Sequence, residues 1–368
     1  MIRIVLTGGG TGGHIFPLVA VAKKIKELDG SAEFLYLGSR GELEMQAMEE
    51  NRIPMKYVTG GKMRRYFSVQ NFLDFFKIPW GIMQALWHLL WYMPDVIFTK
   101  GGYVSVPVAF AAWAYSIPIF THESDSVPGL ANRMIGAVSD RIAISFPRTR
   151  RYFAESKVLL TGNPIRDDIN QGDKEIFRKR FNLTESQPVI LILGGSQGAR
   201  NINEAIVAIL DELLKLGQII HQTGKSNYKE VIKKARAVGV KEGRDGYYPI
   251  EFINPNEMKD VLVVADVVVS RSGSNSISEI AANGKPAILI PLPSAANNHQ
   301  SMNAYSIAEK GGAIVLEESN IGRNMLRSKI EKILSDKELR EKMSRNIKEF
   351  YHLDATEKIA RGIIDLAR

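Results

Sequence analysis

Gly8-Gly9-Gly10-Thr11-Gly12-Gly13-His14 follows directly on an apolar run, Ile2-Arg3-Ile4-Val5-Leu6. Glycine lets a backbone approach a ligand closely, and a helix starting there aims unpaired N–H groups and the positive end of its dipole at an anion. Gly8, Gly10 and Gly13 match G-x-G-x-x-G. A dinucleotide site also needs an acid at the end of the second strand to hold a ribose, and here that strand runs into Gly38-Ser39-Arg40, which disfavours a nicotinamide cofactor. The turn carries more glycine than helix–strand packing requires, so a phosphate group is the expected occupant.

A second glycine turn, Gly194-Gly195-Ser196-Gln197-Gly198, follows Pro188 to Leu193. It reads as a phosphate cradle with Ser196 as hydroxyl donor. It also matches the G-x-S-x-G elbow of serine hydrolases, with Asp266 and His299 in the order such a triad requires. A third polar run, Arg271-Ser272-Gly273-Ser274-Asn275, precedes a helix carrying Glu279, whose carboxylate could accept two hydrogen bonds from a ribose diol. Gly224-Lys225-Ser226 resembles the end of a Walker loop, but Ile219 stands where its first glycine belongs.

The elements that position these turns are read from periodicity. Strands are expected at Ile2–Leu6, Glu33–Leu37, Val96–Thr99 and Ile117–Thr121, with a helix over Phe16–Leu28. The pattern restarts after Val158–Thr161 and Gly162-Asn163-Pro164, with strands at Pro188–Leu193, Gln218–His221, Val267–Ser270 and Ala287–Ile290 and a helix from about Asn201 to Leu216. Alternating strands and helices imply parallel sheets. The fold class is α/β, with two Rossmann-like domains: 1–163, and 164–345. The helix from about 346 to 368 is expected to pack back on the first, with Asp354 and Glu357 as a capping box and Ile359, Ile363 and Leu366 as its apolar face.

The chain has 368 residues, 45% of them hydrophobic and 24% charged, a soluble globular composition that excludes global disorder. No cysteine is present, which removes disulfides, thiolate metal sites and cysteine nucleophiles and suits a reducing compartment. Six scattered histidines show no ligand spacing, so no metal site is expected. The net charge of +8 admits anionic partners, and residues 1–163 carry 18 Lys/Arg against 13 Asp/Glu. That half also holds all four tryptophans. Arg64 and Arg65 precede Val69, Phe72, Leu73, Phe75 and Phe76, and Ile78 to Pro94 contains no charged residue. Pro79 and the adjoining strand argue against a membrane span. An interfacial patch including Phe72, Phe75, Phe76, Trp80 and Trp87, bordered by cations between Lys56 and Lys77, fits an anionic membrane surface. The basic residues track this patch and not an exposed aromatic strand, so nucleic acid is not an expected partner.

Taken in order, Gly-Gly-Thr-Gly-Gly-His at 9–14, Gly101-Gly102-Tyr103, His122-Glu123, Gly162-Asn163-Pro164-Ile165-Arg166, the turn at 194–198, Arg271-Ser272-Gly273 with Glu279, and His299-Gln300 with Asn303-Ala304 closely resemble the MurG family of peptidoglycan glycosyltransferases over the whole chain. The resemblance implies a GT-B architecture with an active-site cleft between the two halves. It implies inverting transfer of N-acetylglucosamine from UDP-N-acetylglucosamine to the 4-hydroxyl of an undecaprenyl-pyrophosphoryl-N-acetylmuramoyl-pentapeptide, at the cytoplasmic face of the bacterial plasma membrane, by a peripheral protein.

By the same resemblance, the donor is held by Thr11, Gly12, Gly13, Arg166, Ser196, Ile253 (at the uracil), Ser272, Gly273, Ser274, Asn275, Glu279 (at the ribose) and Gln300 (at the sugar). The acceptor is held by Gly10, Thr11, Gly12, Gly13, His14, Gly101, Gly102, Tyr103 and Asn132, and the reacting centre by His14, Tyr103 and Glu123. Asp125 stands where many relatives carry Asn, and a carboxylate cannot donate the amide hydrogen bond. No Asp-x-Asp triplet occurs. The leaving pyrophosphate is therefore expected to be stabilised by helix dipoles, backbone N–H groups and Arg166, with no required cofactor and magnesium at most a modulator. His14 is the first choice of base and Glu123 the second. A serine hydrolase using Ser196 and a non-catalytic nucleotide-binding module are the alternatives.

Overall fold

The computed structural model describes the chain apart from residues 10–11, 62–68 and 196–197, and apart from the side chains of 69–76 and 323. The chain divides into two compact units, Met1–Arg166 with His352–Arg368, and Asp167–Tyr351. The first crossing lies just after the Gly162-Asn163-Pro164 turn. The return falls after the helix Lys337–Lys348 has ended, later than residue 346, because that helix still buries Met343 and Ile347 in the second unit.

Among the described residues the first unit holds seven parallel strands: β1 (Arg3–Gly8), β2 (Glu33–Gly38), β3 (Met55–Tyr57), β4 (Val96–Gly101), β5 (Ile119–Glu123), β6 (Arg141–Ile144) and β7 (Val158–Leu160). Their spatial order is β3-β2-β1-β4-β5-β6-β7. The second unit holds β8 (Val189–Leu193), β9 (Gln218–Gln222), β10 (Tyr247–Ile250), β11 (Val267–Ser270), β12 (Ala287–Leu289) and β13 (Ala313–Val315), in the order β10-β9-β8-β11-β12-β13. In both sheets the strand order therefore reverses once, between β1 and β4 and between β8 and β11. Such reversals open a crevice at the carboxyl ends of the two strands.

The two-domain parallel α/β fold is as expected, and the differences are local. The helix expected from Phe16 starts at Gly12, so the glycine turn feeds it without a spacer. β5 extends through His122 and Glu123, which places both on the sheet itself. The helix expected over 201–216 is two pieces, Arg200–Ala208 and Leu210–Leu213, broken at Ile209. β3, β6, β10 and β13 were not anticipated, since they are three or four residues long and lack a clear alternation.

The closing helix Ala355–Ala367 packs on the first sheet. Ile359, Ala360, Ile363 and Ile364 join the core of Ile4, Leu6, Phe98 and Phe120, and the bare α-carbon of Gly362 sits against the Phe120 ring. The expected capping box is absent. The Asp354 carboxylate pairs with Lys358 at 2.8 Å and Glu357 with Arg361 at 2.7 Å, so both acids serve i,i+4 ion pairs. Truncating Ile363 to Ala should cost the first unit about 2–5 kcal/mol. All four tryptophans lie in that unit, so tryptophan fluorescence against denaturant reads its unfolding. An unchanged midpoint would contradict the docking.

Candidate functional site

In the first unit the β1/β4 reversal brings together two glycine segments that are more than 90 residues apart in sequence. Gly101 and Gly102 have φ of +85° and +91°. A β-carbon on Gly102 would lie 2.8 Å from the Gly9 carbonyl oxygen, and one on Gly101 would lie 1.6 Å from Asn132 Oδ1. Only glycine fits either position. Gly8 is held from β2, since the buried Tyr36 hydroxyl donates to its carbonyl. Glu44, also buried, lies beside Gly9 and accepts the backbone N–H and hydroxyl of Ser39.

His14 lies in the first turn of the helix Gly12–Leu28, half-buried, and its Nδ1–H donates to the Gly9 carbonyl at 2.8 Å. That bond selects the tautomer in which Nε2 carries the ring lone pair. Gly12, Gly13 and Tyr103 are half-buried around the same turn. Gly10 and Thr11 lie outside the described residues.

Neighbouring residues on a strand point to opposite faces, and β5 uses both. On one face, Glu123 is buried and accepts the Asp125 N–H on Oε1 at 2.8 Å and the Asn132 amide on Oε2 at 2.7 Å. Asn132 is carried by the helix Leu130–Val138, and its Oδ1 fills the space that a β-carbon on Gly101 would take. On the other face, His122 Nε2–H donates to the Gly162 carbonyl at 3.0 Å, which leaves Nδ1 to accept a 2.6 Å hydrogen bond from Lys100 Nζ. Lys100 Nζ also lies 3.4 Å from Asn163 Oδ1.

Burial raises the Glu123 carboxyl, and the Asp125 charge beside it adds to the rise; the two hydrogen bonds and the Lys100 charge oppose it. Burial lowers Lys100, against the pull of Glu123 and Asp125. Burial, followed by the Lys100 charge, holds His122 well below the usual imidazole range, so this ring is neutral. Asp125, noted in the sequence only as a lost amide donor, thus puts a second negative charge beside Glu123.

In the second unit the β8/β11 reversal collects Gly194, Gly195 and Gly198 after β8 and the turn at 271–273 after β11. The helices that follow, Arg200–Ala208 and Ser274–Ala282, both start without a side-chain cap, at Ala199 and Gly273. A helix start that its own side chains leave uncapped suits an anion. Among the described residues, nothing lies within 4 Å of a notional β-carbon on Gly195, at φ +80°, or on Gly273. Ser196 lies outside the described residues. Ser272 is buried, and its hydroxyl donates to the Gln300 carbonyl at 2.8 Å. Ser274 is buried at the helix start, and Asn275 and Glu279 are half-buried on the same helix. Gln300 Oε1 accepts the Leu292 N–H at 3.0 Å, which fixes the orientation of its side-chain amide. Ile253 as a whole is 2% exposed and belongs to the core. Arg166 is the last residue of the first unit and half-buried.

Sequence reasoning passed over three side chains. Lys100 has the clearest signal, a lysine within the otherwise apolar and buried Val96–Gly101 strand. Arg271 and Glu318 form an ion pair, with the guanidinium also donating to the Ile290 and Pro291 carbonyls. Glu318 further accepts the Asn201 amide, so one carboxylate ties the turn after β11 to the helix after β8. Among the described residues, Asp266 and His299 are not paired as a serine-hydrolase triad would require. Asp266 precedes β11, and its carboxylate accepts the Val189 N–H at the start of β8, at the sheet edge opposite the 194–198 turn. His299 Nδ1–H is engaged by the Ala296 carbonyl.

On the helix Val69–Tyr92, Ala85 and Leu89 face the core, whereas Trp80, Met83, Trp87, Leu90 and Trp91 are 55–70% exposed. Arg64 and Arg65 lie outside the described residues, as do the side chains of Phe72, Phe75 and Phe76. Among the described residues no helix is long and apolar enough to cross a membrane.

The glycosyltransferase family 28 N-terminal domain matches residues 4–144, and the family 28 C-terminal domain matches residues 189–359. A Clostridium perfringens protein named UDP-N-acetylglucosamine–N-acetylmuramyl-(pentapeptide) pyrophosphoryl-undecaprenol N-acetylglucosamine transferase is 40% identical over 337 residues, 91% of each chain. A Lachnospira eligens protein of the same name is 37% identical over 366 residues, 99% of each chain. Acinetobacter baumannii MurG shares the fold, with a TM-score of 0.79 at 24% identity over 99% of this chain and 100% of that one. So does Neisseria meningitidis UDP-GlcNAc 2-epimerase bound to UDP-GlcNAc, with a TM-score of 0.72 at 14% identity over 99% of this chain and 100% of that one.

Gly101→Ala should destabilise the first unit by about 2 kcal/mol or more, since it adds a positive-φ penalty to a clash with Asn132. Gly30→Ala, where a β-carbon meets nothing within 4 Å, should stay within about 0.5 kcal/mol. Equal denaturation midpoints for the two variants would contradict the packing described.

Proposed function

The chain belongs to the family of UDP-N-acetylglucosamine–N-acetylmuramyl-(pentapeptide) pyrophosphoryl-undecaprenol N-acetylglucosamine transferases, and on that premise we propose how its residues divide the reaction. The enzyme is a glycosyltransferase that moves N-acetylglucosamine from UDP-N-acetylglucosamine to the lipid-linked muramoyl-pentapeptide. The observation that carries the division is that each unit has a glycine turn at its own topological switch point. The second unit takes the donor, with its diphosphate on the two uncapped helix starts at 200 and 274 and its ribose on Glu279. Gly273, Ser274 and Asn275 supply the first turn of that cradle, with Ser196 and Arg166 as further phosphate donors and the Gln300 amide nitrogen on the sugar. The first unit takes the acceptor, with its pyrophosphate on the turn through Gly12 and Gly13.

The reaction is a single inverting displacement. The acceptor 4-hydroxyl oxygen bonds to the anomeric carbon, the bond to the UDP oxygen breaks, and UDP leaves with that electron pair. His14 Nε2 takes the hydroxyl proton. The Nδ1–H bond to Gly9 supports that role, because it fixes the accepting nitrogen. Glu123 suits positioning better than proton transfer, since both of its oxygens already accept donors. Helix N-termini and backbone N–H groups carry the charge that develops on the leaving diphosphate, so no metal is required.

Peripheral binding to the cytoplasmic face of the membrane completes this reading. It is supported by the exposed stripe of Trp80, Met83, Trp87, Leu90 and Trp91 with Lys56 and Lys77 also exposed, and by an acceptor whose lipid remains in the bilayer.

Labelled sugar should pass from UDP-N-acetylglucosamine to the muramoyl-pentapeptide pyrophosphoryl lipid, with and without a chelator. His14→Ala should slow turnover about 100-fold or more. Near-normal turnover of that variant would remove His14 from the role of base, and no transfer by the unaltered chain would overturn the reading. In flotation with anionic phosphatidylglycerol vesicles, Trp80→Ser, Trp87→Ser and Trp91→Ser combined should lower the bound fraction about tenfold or more. Unchanged flotation of the folded triple variant would contradict the membrane surface.

A further inference from the structure

Lys100 is a buried lysine that the reaction as described does not use. It lies on β4 beside His122 of β5, on the face of the sheet covered by the closing helix, with its Nζ bound to His122 Nδ1 and close to Asn163. Glu123 projects from the opposite face of the same strand, against Asn132 and the Asp125 N–H. Lys100 therefore cannot reach a substrate, but only one strand of low-dielectric protein separates its charge from that carboxylate.

We propose that Lys100 is a positioning residue, the buried counter-charge that keeps Glu123 ionised and so holds the 123–125 turn and Asn132 in place at the acceptor site. The inference rests on the transferase reading for its consequence in turnover, but not for its electrostatics. The surroundings of Glu123 and Lys100 support it. An ionised carboxylate accepts well on both oxygens, as Glu123 does; protonation would leave one of them a weaker acceptor. Burial and the adjoining Asp125 charge both oppose that ionisation; the hydrogen bonds from the Asp125 N–H and Asn132 favour it, and the Lys100 charge adds to them. The groups that face Glu123 are Asp125 in the turn, Asn132 on the helix, and Lys100 across the strand, and of these Lys100 alone is cationic. The His122 ring accepts from the ammonium on Nδ1 because Gly162 fixes its Nε2–H. The short 2.6 Å bond is of the kind a charged donor makes.

The test reads the ionisation of Glu123 directly. The full chain is labelled with carboxyl-13C glutamate, the Glu123 resonance is identified by its loss in Glu123→Gln, and its titration midpoint is followed by NMR. Lys100→Met should raise the midpoint by about one pH unit or more, since an opposite charge nearby is worth about that much. Lys100→Arg, which keeps the charge, should leave it within a few tenths of a unit. Should Lys100→Met fail to fold, Lys100→Gln, which offers a donor to His122 without the charge, carries the same expectation. A midpoint that does not move in the uncharged variants, or moves equally in Lys100→Arg, overturns the proposal. In the transfer assay, the acidic limb of the pH–rate profile should move up with the NMR midpoint in Lys100→Met, and should not move when Lys100→Met is added to Glu123→Gln. If the unaltered chain transfers no sugar, the transferase reading fails while the NMR comparison still decides the role of Lys100.

Discussion

In a parallel sheet every strand delivers its carboxyl end to the same edge, and everything chemical in this protein follows from that constraint. A loop leaving that edge must turn sharply into a helix whose N-terminus faces the same way. Where strand order reverses, two such loops flank a crevice with no connection across it. Residues far apart in sequence, Gly9 and Gly102 in one unit and those of the 194–198 and 271–273 turns in the other, are neighbours for this reason alone. Positive φ at Gly101 and Gly102, and the absence of room for a β-carbon at either, are the local cost of closing such turns tightly.

The two units solve the anion problem differently. In the second, the switch point is built from uncapped helix starts and small residues, with the Arg271–Glu318–Asn201 linkage holding the two turns together behind it. That arrangement suits a diphosphate, which needs donors and no buried charge of its own. In the first, charged groups lie directly under the turn: Glu44 beside Gly9, Glu123 under Gly101, and Lys100 across the strand. Burying these groups is unfavourable, and each is tolerated because its hydrogen bonds are largely met by neighbours on the sheet and the flanking helix. Such a network fixes the orientation of Asn132, and through it the path of the glycine turn.

Much of this was legible in the sequence because it depends on local pattern. The apolar runs ending in glycine marked β1, β4, β8 and β11, and the repeat of strand, turn and helix implied two parallel sheets. The short edge strands β3 and β10 were not legible, since three or four residues with little alternation carry no periodic signal. The capping box at Asp354 and Glu357 failed because i,i+4 lysine and arginine partners compete for the same carboxylates. Ile253 was placed at the uracil by resemblance, and its burial is a tertiary property that the sequence did not carry. Lys100 was visible as an anomaly in an apolar strand, yet its partner could not be named until β4 and β5 were paired. Glu123 and Asn132 were both named as site residues, but not as hydrogen-bond partners, a relation that exists only once the helix Leu130–Val138 packs on β5.

The central claim is that the switch point of the second unit is the donor site. Hydrogen–deuterium exchange on the full chain, with and without saturating UDP-N-acetylglucosamine and with a chelator present, tests it most directly. The account predicts slowed exchange of backbone amides in 194–200 and 271–279. No protection in these two segments, or protection found in 8–14 and 99–104 instead, would contradict it.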